Sequence, residues 1–326
     1  MTMRARISMP ILVALLAAVV LLIIGCGGSS TVRVFQNVSE RTSWGATDKI
    51  AFASFGANGQ LYVYSINDNG TAMFLMTPSD NDNDFADEGG HHPAFSPAAG
   101  KLVIASRRGQ SEALYVIDAV RGDRDDLVAI TDPAASGSDN QPSYHPDGDE
   151  IVFTSTRRAG NADIYSIVVP ADAKADARVA VVTTDAEETW AAVSPDGTKV
   201  AYTSDTNGNT DIWVKDLGTD ATDPGTCLTA DSPYRDEAPS WSPNGEKIAF
   251  HSDRNGDFDI WLMDADGAIQ VAVTGDQRSD GFPVFSPGGG RLAITRDREV
   301  WTVPAKPWTE WQADADTEAD QVTRRF

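Results

Sequence analysis

One sequence unit recurs six times, and it constrains the fold more than any other feature. Its fullest copy, residues 238–250, reads Ala-Pro-Ser-Trp-Ser-Pro-Asn-Gly-Glu-Lys-Ile-Ala-Phe. When the copies are aligned at the second proline of this unit, successive copies are 52, 49, 49, 48 and 44 residues apart. The aligned positions are Gly45, Pro97, Pro146, Pro195, Pro243 and Pro287. A period of this length indicates a repeat architecture in which each copy is one supersecondary unit.

Each unit predicts four short strands. The first strand ends at a turn such as Asn244-Gly245, a dipeptide that tolerates positive φ. The second strand is a near-continuous apolar run such as residues 247–252, which is typical of a strand buried on both faces. The fourth strand ends in a small apolar residue followed by Thr, as at Leu228-Thr229. The third strand places an aromatic residue at one register, and we expect these side chains to pack between adjacent units: Tyr62, Tyr115, Tyr165, Trp213, Trp261 and Trp301.

Six units of four strands predict an all-β fold, a six-bladed β-propeller with four antiparallel strands per blade over residues 42–326. Radial packing of blades leaves only short, protected sheet edges. The sixth blade is expected to come wholly from residues 282–326, with residues 321–326 as its fourth strand.

The N-terminus has the pattern of an export signal. Arg4 and Arg6 precede an apolar run over residues 11–24, and Gly25 and Cys26 follow at once. A basic start, a short apolar core and a small-residue boundary predict a signal peptide over residues 1–25. The alternative is an uncleaved membrane anchor, for which the run is short. Residues 26–41 begin polar and rich in Gly and Ser, which indicates a tether.

The charge balance limits the partners. The chain carries 48 acidic and 26 basic residues, a formal charge of −22. Such a surface repels nucleic acid and anionic lipid headgroups, whereas it suits basic protein segments, cations or simple solubility. No cofactor is predicted, and the chain is expected to be a monomer.

The repeats resemble those of the TolB-type β-propeller family, which read Pro-x-Trp-Ser-Pro-Asp-Gly-x-x-Ile-Ala-Phe-x-Ser followed by Asp-Ile-Tyr. Here the best matches are residues 239–252 and Asp259-Ile260-Trp261, and the resemblance covers about residues 42–326. It implies an exported, non-enzymatic propeller that works as a scaffold for protein–protein interaction in the cell envelope. Family members carry an α/β domain before the propeller, and this sequence instead predicts a propeller-only lipoprotein.

The segment Ile23-Ile24-Gly25-Cys26 resembles the lipobox of bacterial lipoproteins. In that family the Cys becomes the first mature residue and carries the lipid, so the resemblance implies lipidation at Cys26. With Gly27 next, it also implies the periplasmic side of the outer membrane where the organism has one. Acylation of Cys26 would leave Cys227 without a disulfide partner, and we interpret Cys227 as a small apolar residue of a fourth strand.

One carboxylate recurs three residues before the first proline position in four of the six units. The segment leads into the innermost strand of a blade, so these acids are expected to ring one mouth of the central channel. They could cap backbone N–H groups at the blade junction, or they could bind a cation or a basic partner segment. The four residues are Asp139, Glu188, Asp236 and Asp280.

Other polar segments are candidates for metal sites. The loops 205–211 and 253–259 resemble calcium loops but lack the Gly and Glu of an EF-hand, which favours turn chemistry. The loop 80–92 is strongly acidic, and its His91 and His92 are adjacent, so on a strand they would point to opposite faces. No metal site is therefore predicted.

The evidence for catalysis in the sequence is thin. The chain contains neither a Gly-x-Ser-x-Gly elbow nor a His-Glu-x-x-His helix, and it has only four His. The alternative to a binding protein is a propeller-fold carbohydrate-active enzyme or a glycan- or cation-binding protein. For such chemistry His145 and His251 are the candidates nearest to inner strands.

Overall fold

The computed structural model describes residues 42–55, 61–69, 72–77, 90–119, 127–158, 161–169, 177–230 and 232–306. The predicted signal peptide, the tether, the lipidation site at Cys26 and the predicted strand at 321–326 lie outside these residues. These described residues contain no helix that is long and apolar enough to cross a membrane.

The described residues form six antiparallel sheets, each a meander taken in chain order. Blade 1 has β1 (Ser43–Trp44), β2 (Lys49–Phe55), β3 (Leu61–Asn67) and β4 (Phe74–Leu75). Blade 2 has β5 (His91–Phe95), β6 (Lys101–Ser106), β7 (Ala113–Asp118) and β8 (Val128–Ala129). Blade 3 has β9 (Asp139–Tyr144), β10 (Glu150–Ser155), β11 (Asp163–Val168) and β12 (Val179–Val182).

The second half of the propeller repeats this arrangement. Blade 4 has β13 (Glu188–Val193), β14 (Lys199–Ser204), β15 (Asp211–Asp216) and β16 (Thr226–Cys227). Blade 5 has β17 (Asp236–Trp241), β18 (Lys247–Ser252), β19 (Asp259–Asp264) and β20 (Val271–Ala272). Blade 6 has β21 (Asp280–Phe285), β22 (Arg291–Arg296) and β23 (Glu299–Pro304), so its described part has three strands. The predicted all-β, six-bladed propeller is confirmed.

Six hydrophobic clusters hold the ring together, one at each interface between neighbouring blades. The second strands supply most of the buried volume, because they are covered on both faces: Ile248, Ala249 and Phe250 of β18 are each 0% exposed. At the closing interface, Phe52 of blade 1 packs in one cluster with Val300 of blade 6. The described part of the ring therefore closes by packing blade 6 against blade 1.

The predicted aromatic register on the third strand is right for five blades and wrong for blade 1. Trp213 faces Tyr202 and Trp261 faces Phe250 across the second and third strands. In blade 1 the residue opposite Phe52 is Tyr64, whereas Tyr62 lies opposite Ser54. The strand β3 has Tyr at two positions of the same face, so the sequence alone offered two registers. The Phe52 and Tyr64 rings stack with their centroids 5.8 Å apart.

Candidate functional site

The four acids predicted to ring the channel mouth occupy equivalent positions but are not open to solvent. Asp139, Glu188, Asp236 and Asp280 are the first residues of β9, β13, β17 and β21, and each is 0% exposed. All four therefore share one register at the start of an innermost strand, and their side chains are covered at the junction between blades instead of being open to the channel mouth.

Three of these acids pair with an arginine that follows or ends the second strand of the same blade. Asp236 binds Arg254 at two points, with Oδ2 2.8 Å from Nη2 and Oδ1 3.2 Å from Nε. Asp139 Oδ2 lies 2.7 Å from Arg157 Nη2, and Asp280 accepts two hydrogen bonds from Arg296. A buried charge needs such a partner, so these pairs serve the scaffold.

Glu188 differs from the other three. Blade 4 has Thr206 where blade 3 has Arg157 and blade 5 has Arg254. Glu188 accepts hydrogen bonds from the hydroxyl and the backbone N–H of Thr184. Burial raises the pKa of Glu188 to about 7, although these two hydrogen bonds by themselves lower it. The nearby carboxylate of Asp163 raises the pKa further. This carboxyl is therefore partly protonated at neutral pH.

The innermost strands carry a more informative feature, a strained residue near their start. Five of them have a register shift after their first or second residue, which marks a β-bulge. The residue at the bulge, which is the second of β5 and the third of β9, β13, β17 and β21, has a left-handed backbone, which is uncommon outside glycine and clusters at functional sites. The φ values are 47° for His92, 51° for Gln141, 56° for Trp190, 54° for Ala238 and 54° for Phe282.

Side chains of the preceding blade hold three of these bulges in place. In each case the backbone N–H of the third residue donates to a side-chain acceptor on the neighbouring blade. The bonds join Trp190 to Gln141 Oε1, Ala238 to Thr203 Oγ1 and Phe282 to His251 Nδ1, each at 3.0 Å. Because each bond crosses a blade junction, the strained conformation depends on the closed ring.

The bulges bring rings from alternate blades together at the channel mouth. Trp190 of blade 4 contacts His92 of blade 2, with centroids 5.2 Å apart, and Phe282 of blade 6, at 4.9 Å. His91 lies 4.4 Å from His92 at one end, and His251 lies 5.0 Å from Phe282 at the other. We call these five residues the aromatic row. Since its members come from four blades, the row crosses the mouth.

A histidine–glutamate pair stands at each end of the aromatic row. At one end, His91 Nε2 bonds Glu112 Oε1, and the side-chain amide of Asn140 donates to Glu112 Oε2 at 2.9 Å. At the other end, His251 Nε2 lies 3.3 Å from Glu237 Oε2. His251 Nδ1 already accepts from Phe282, so the proton of a neutral His251 ring is on Nε2 and points at Glu237.

Both glutamates are charged at neutral pH. Burial opposes ionisation of Glu112, but the hydrogen bond and charge of His91 outweigh it and hold the pKa below its ordinary value. For Glu237, burial is likewise outweighed by the hydrogen bond and charge of His251, so its pKa is also lowered. Their side chains remain 13% and 23% exposed. The mouth thus combines aromatic faces with two accessible negative charges.

The other candidate residues of the sequence have structural surroundings. In the loops resembling calcium sites, Asn207 and Asn255 donate to Asp211 and Asp259, as turn chemistry predicts. The expectation that His91 and His92 point to opposite faces is wrong, because the bulge at His92 brings the two rings into contact. Across the described part of the chain, no group of three or more His, Cys, Asp or Glu could hold a metal ion.

Two predicted positions lie away from the mouth. His145 Nε2 donates to Gly197 O, 3.1 Å away, beside the turn that follows the inner strand. Cys227 is half-buried in β16, and burial raises its pKa to about 11, which agrees with a packing role. Two residues of the aromatic row, Trp190 and Phe282, were missed from sequence, whereas His91, His92 and His251 had been considered only as metal or catalytic candidates. The signal for the two missed residues is their position, two places after Glu188 and Asp280.

Comparison with known proteins agrees with this architecture. Residues 170–301 match the model of the TolB β-propeller domain family. Among solved structures, a putative TolB from Agrobacterium tumefaciens is 19% identical with a TM-score of 0.59, over 82% of this chain and 90% of that one. TolB from Acinetobacter baumannii is 22% identical with a TM-score of 0.57, over 80% of this chain and 64% of that one.

The same fold also occurs among enzymes. A gluconolactonase from Xanthomonas campestris is 16% identical with a TM-score of 0.60, over 84% of this chain and 88% of that one. Likeness at these identities shows the fold and leaves the chemistry to the site. The repeat spacing, the six blades and the family match together show that this chain is a six-bladed β-propeller whose repeats over residues 170–301 are similar to those of the TolB β-propeller domain.

Proposed function

We propose that this protein is a lipid-anchored binding protein of the cell envelope that receives a basic segment of a partner protein at its channel mouth. The observation that carries the proposal is the aromatic row with a charged carboxylate at each end. The similarity of its repeats to TolB supports a scaffold that binds proteins.

The chemistry of the mouth suits a guanidinium or ammonium group. Cations are attracted to the face of an aromatic ring, most strongly to Trp, and Trp190 is only partly buried at the centre of the row. Glu112 and Glu237 can then neutralise the cation by charge-assisted hydrogen bonds. Because the bulges fix the row in advance, little conformational entropy is lost when the partner binds.

Long-range electrostatics act in the same direction. The formal charge of −22 attracts basic partners and repels acidic ones. Such attraction increases the association rate more than the final affinity, and salt weakens it. A binding event driven this way is expected to slow as ionic strength rises.

Localisation forms part of the proposal. The export signal and lipobox predict that Cys26 attaches the mature chain to a membrane, with residues 26–41 as the tether. That placement would hold the propeller at the envelope surface where a partner is also confined.

The test is affinity capture from crosslinked envelope with the mature chain as bait. A mouth variant, Glu112→Gln with Glu237→Gln, removes two charges; a matched control, Asp149→Asn with Glu246→Gln, removes two exposed charges at the opposite end of the blades. We expect the mouth variant to capture about tenfold less partner, with the larger loss at low salt, and the control to behave as wild type. Equal capture by the mouth variant would remove the proposal.

A carbohydrate-active role is the second candidate, favoured by the two histidine–glutamate pairs. His91–Glu112 and His251–Glu237 each place a group able to take or give a proton beside the aromatic row. Incubation with pectic fragments, with zinc or manganese added, separates this candidate from a binding role. Product formation that disappears in the Glu112→Gln variant would favour the enzyme.

A further inference from the structure

Strand pairing determines which residue of each blade stands at the bulge beside the channel mouth. In blades 2 to 6 the bulged residue comes three places before the residue that pairs with the second residue of the second strand. Ala238, for example, precedes Trp241, which pairs with Ile248. The five bulged residues of the described chain are His92, Gln141, Trp190, Ala238 and Phe282.

The same count assigns the sixth position, that of blade 1, to an arginine. Trp44 pairs with Ile50, which is the second residue of β2. Three places before Trp44 is Arg41, and it directly precedes Thr42, the buried residue at which the described part of the chain begins. Arg41 is therefore the counterpart in blade 1 of Trp190 and Phe282.

The pairing corrects the alignment of the repeats by one residue in blade 1. Alignment at Gly45 puts Glu40 at the position of the bulge. The turn between β1 and β2 has four residues, 45–48, whereas the turn between β17 and β18 has five, 242–246. Because the first turn is one residue shorter, the position belongs to Arg41.

Blade 1 lies between the two blades that supply His92 and Phe282 to the aromatic row. Ser43 Oγ accepts a 2.9 Å hydrogen bond from the backbone N–H of Phe95, so β1 runs beside β5. On its other side β1 contacts β21. The rings of His92 and Phe282 both contact Trp190. The bulge position of blade 1 is thus flanked by two members of the row.

Blade 6 carries a side chain able to hold this position as the other bulges are held. In blades 4 and 5 the fifth residue of the second strand, Thr203 or His251, accepts the backbone N–H of the bulged residue of the next blade. The fifth residue of β22 is Thr295, at the same register. Its hydroxyl can accept the backbone N–H of Arg41 as Thr203 accepts that of Ala238.

The surroundings of this position suit a guanidinium group. A guanidinium stacks on aromatic faces and is attracted to them by the ring quadrupole. The charged carboxylates of Glu112 and Glu237 stand at the two ends of the row. An arginine of the same chain also has a large effective concentration at the mouth, in the millimolar range or above. It would therefore compete with a basic group from outside.

We propose that Arg41 occupies the channel mouth of the free protein as an internal ligand of the aromatic row, and that a basic partner segment must displace it. The inference rests on the proposed function, because it names the regulation of the same site. Arg41 is the last residue of the predicted tether, so the link between the lipid anchor and the propeller itself covers the mouth.

The first measurement observes Arg41 directly, without a partner. In the mature chain, the NMR signal of the Arg41 Nε–H group is expected to be displaced by the ring currents of the row. Trp190→Ala should return it toward the position of a free arginine. Arg33 of the predicted tether is the internal control, and its signal should not respond. An Arg41 signal that matches Arg33 and ignores Trp190→Ala would overturn the inference.

The second measurement is calorimetric titration with N-acetyl-arginine amide, with the uncharged N-acetyl-citrulline amide as the matched probe. Arg41→Gln removes the internal cation but keeps the backbone N–H that Thr295 can accept. It should bind the arginine probe about tenfold more tightly than wild type, as expected when the free mouth is populated about one tenth of the time. Glu40→Gln, at the adjacent position, is the control and should bind as wild type. Melting temperatures are measured first, so that a loss of fold is not read as a change in affinity.

The two measurements separate failure of this inference from failure of the proposed function. Equal affinity of wild type and Arg41→Gln for the arginine probe, together with a free-arginine signal for Arg41, would overturn the inference and leave the proposed function standing. A displaced Arg41 signal without binding of the probe by either protein would support Arg41 at the mouth and remove the basic partner. Equal binding of the citrulline probe would show that the charge of the guanidinium is not recognised, and would overturn both.

Discussion

Nδ1 of His251 accepts a 3.0 Å hydrogen bond from the backbone N–H of Phe282, so a side chain of blade 5 fixes the strained inner strand of blade 6. The same ring lies 3.3 Å from Glu237 through Nε2. The imidazole of His251 therefore contacts both the bulge at Phe282 and the carboxylate of Glu237.

Removing that acceptor should destabilise the ring. His251→Ala leaves the Phe282 N–H without this partner, and an unsatisfied buried donor costs about 1–3 kcal/mol. His251→Thr should recover much of the loss, because Thr203 at the equivalent position of blade 4 accepts the same kind of bond from Ala238. Urea unfolding of the two variants measures the difference. Equal stability of both variants would contradict a stabilising role for the hydrogen bond between His251 and Phe282.

Breaking one of the buried acid–arginine pairs should cost more unfolding free energy than breaking an exposed ion pair. Arg254→Met leaves Asp236 buried without its cation, which should cost about 3–5 kcal/mol of unfolding free energy. Adding Asp236→Asn should restore part of that loss, since no charge remains buried. The control is Arg235→Met, which breaks an exposed pair with Asp253 and should cost about 1 kcal/mol or less. A mild effect of Arg254→Met in denaturant unfolding would sink this account.

Glu188 predicts a pH dependence of stability. Its folded pKa of about 7 lies above the ordinary 4.5, so the folded state binds the proton more tightly than the unfolded state. The contribution of Glu188 to the free energy of unfolding is fully present below pH 4.5 and is lost as the pH rises through about 7.

Glu188→Gln should remove that decline, so the variant becomes more stable than wild type above pH 7 by on the order of 2 kcal/mol. Asp185→Asn, which changes an exposed neighbour, serves as the control. Thermal unfolding from pH 4 to pH 8 measures the effect. Parallel pH profiles for wild type and Glu188→Gln would rule out the raised pKa.

The lipobox predicts a membrane attachment that a single substitution abolishes. Cys26→Ser should stop lipid labelling and move the protein to the soluble fraction. Cys227→Ser, at the only other cysteine, should leave both unchanged. Fractionation with metabolic lipid labelling is the measurement, and unchanged partitioning of Cys26→Ser would disprove lipidation. Cys26 itself lies outside the residues that the structure describes.

The strands, the turns and the number of blades could be predicted from sequence because they rest on local patterns. The unit around Trp241 repeats its apolar runs and turn residues at a regular spacing, and each copy specifies its own meander. The turn at Gly245, with φ of 73°, shows how directly a dipeptide determines local conformation. Where two registers satisfied the same alternation, as for Tyr62 and Tyr64, only the pairing across strands chose between them.

The site depended on contacts between distant parts of the chain. Asp236 looks like an exposed loop acid in the sequence, and only the packed blade junction buries it against Arg254. His92, Trp190 and Phe282 are far apart in sequence, and their rings meet because bulges on three blades turn them toward one another. By itself the sequence determined a six-bladed propeller, since periodicity is local. The closed ring decided which side chains face the mouth, since burial, strain and ring contacts arise only when blades pack together.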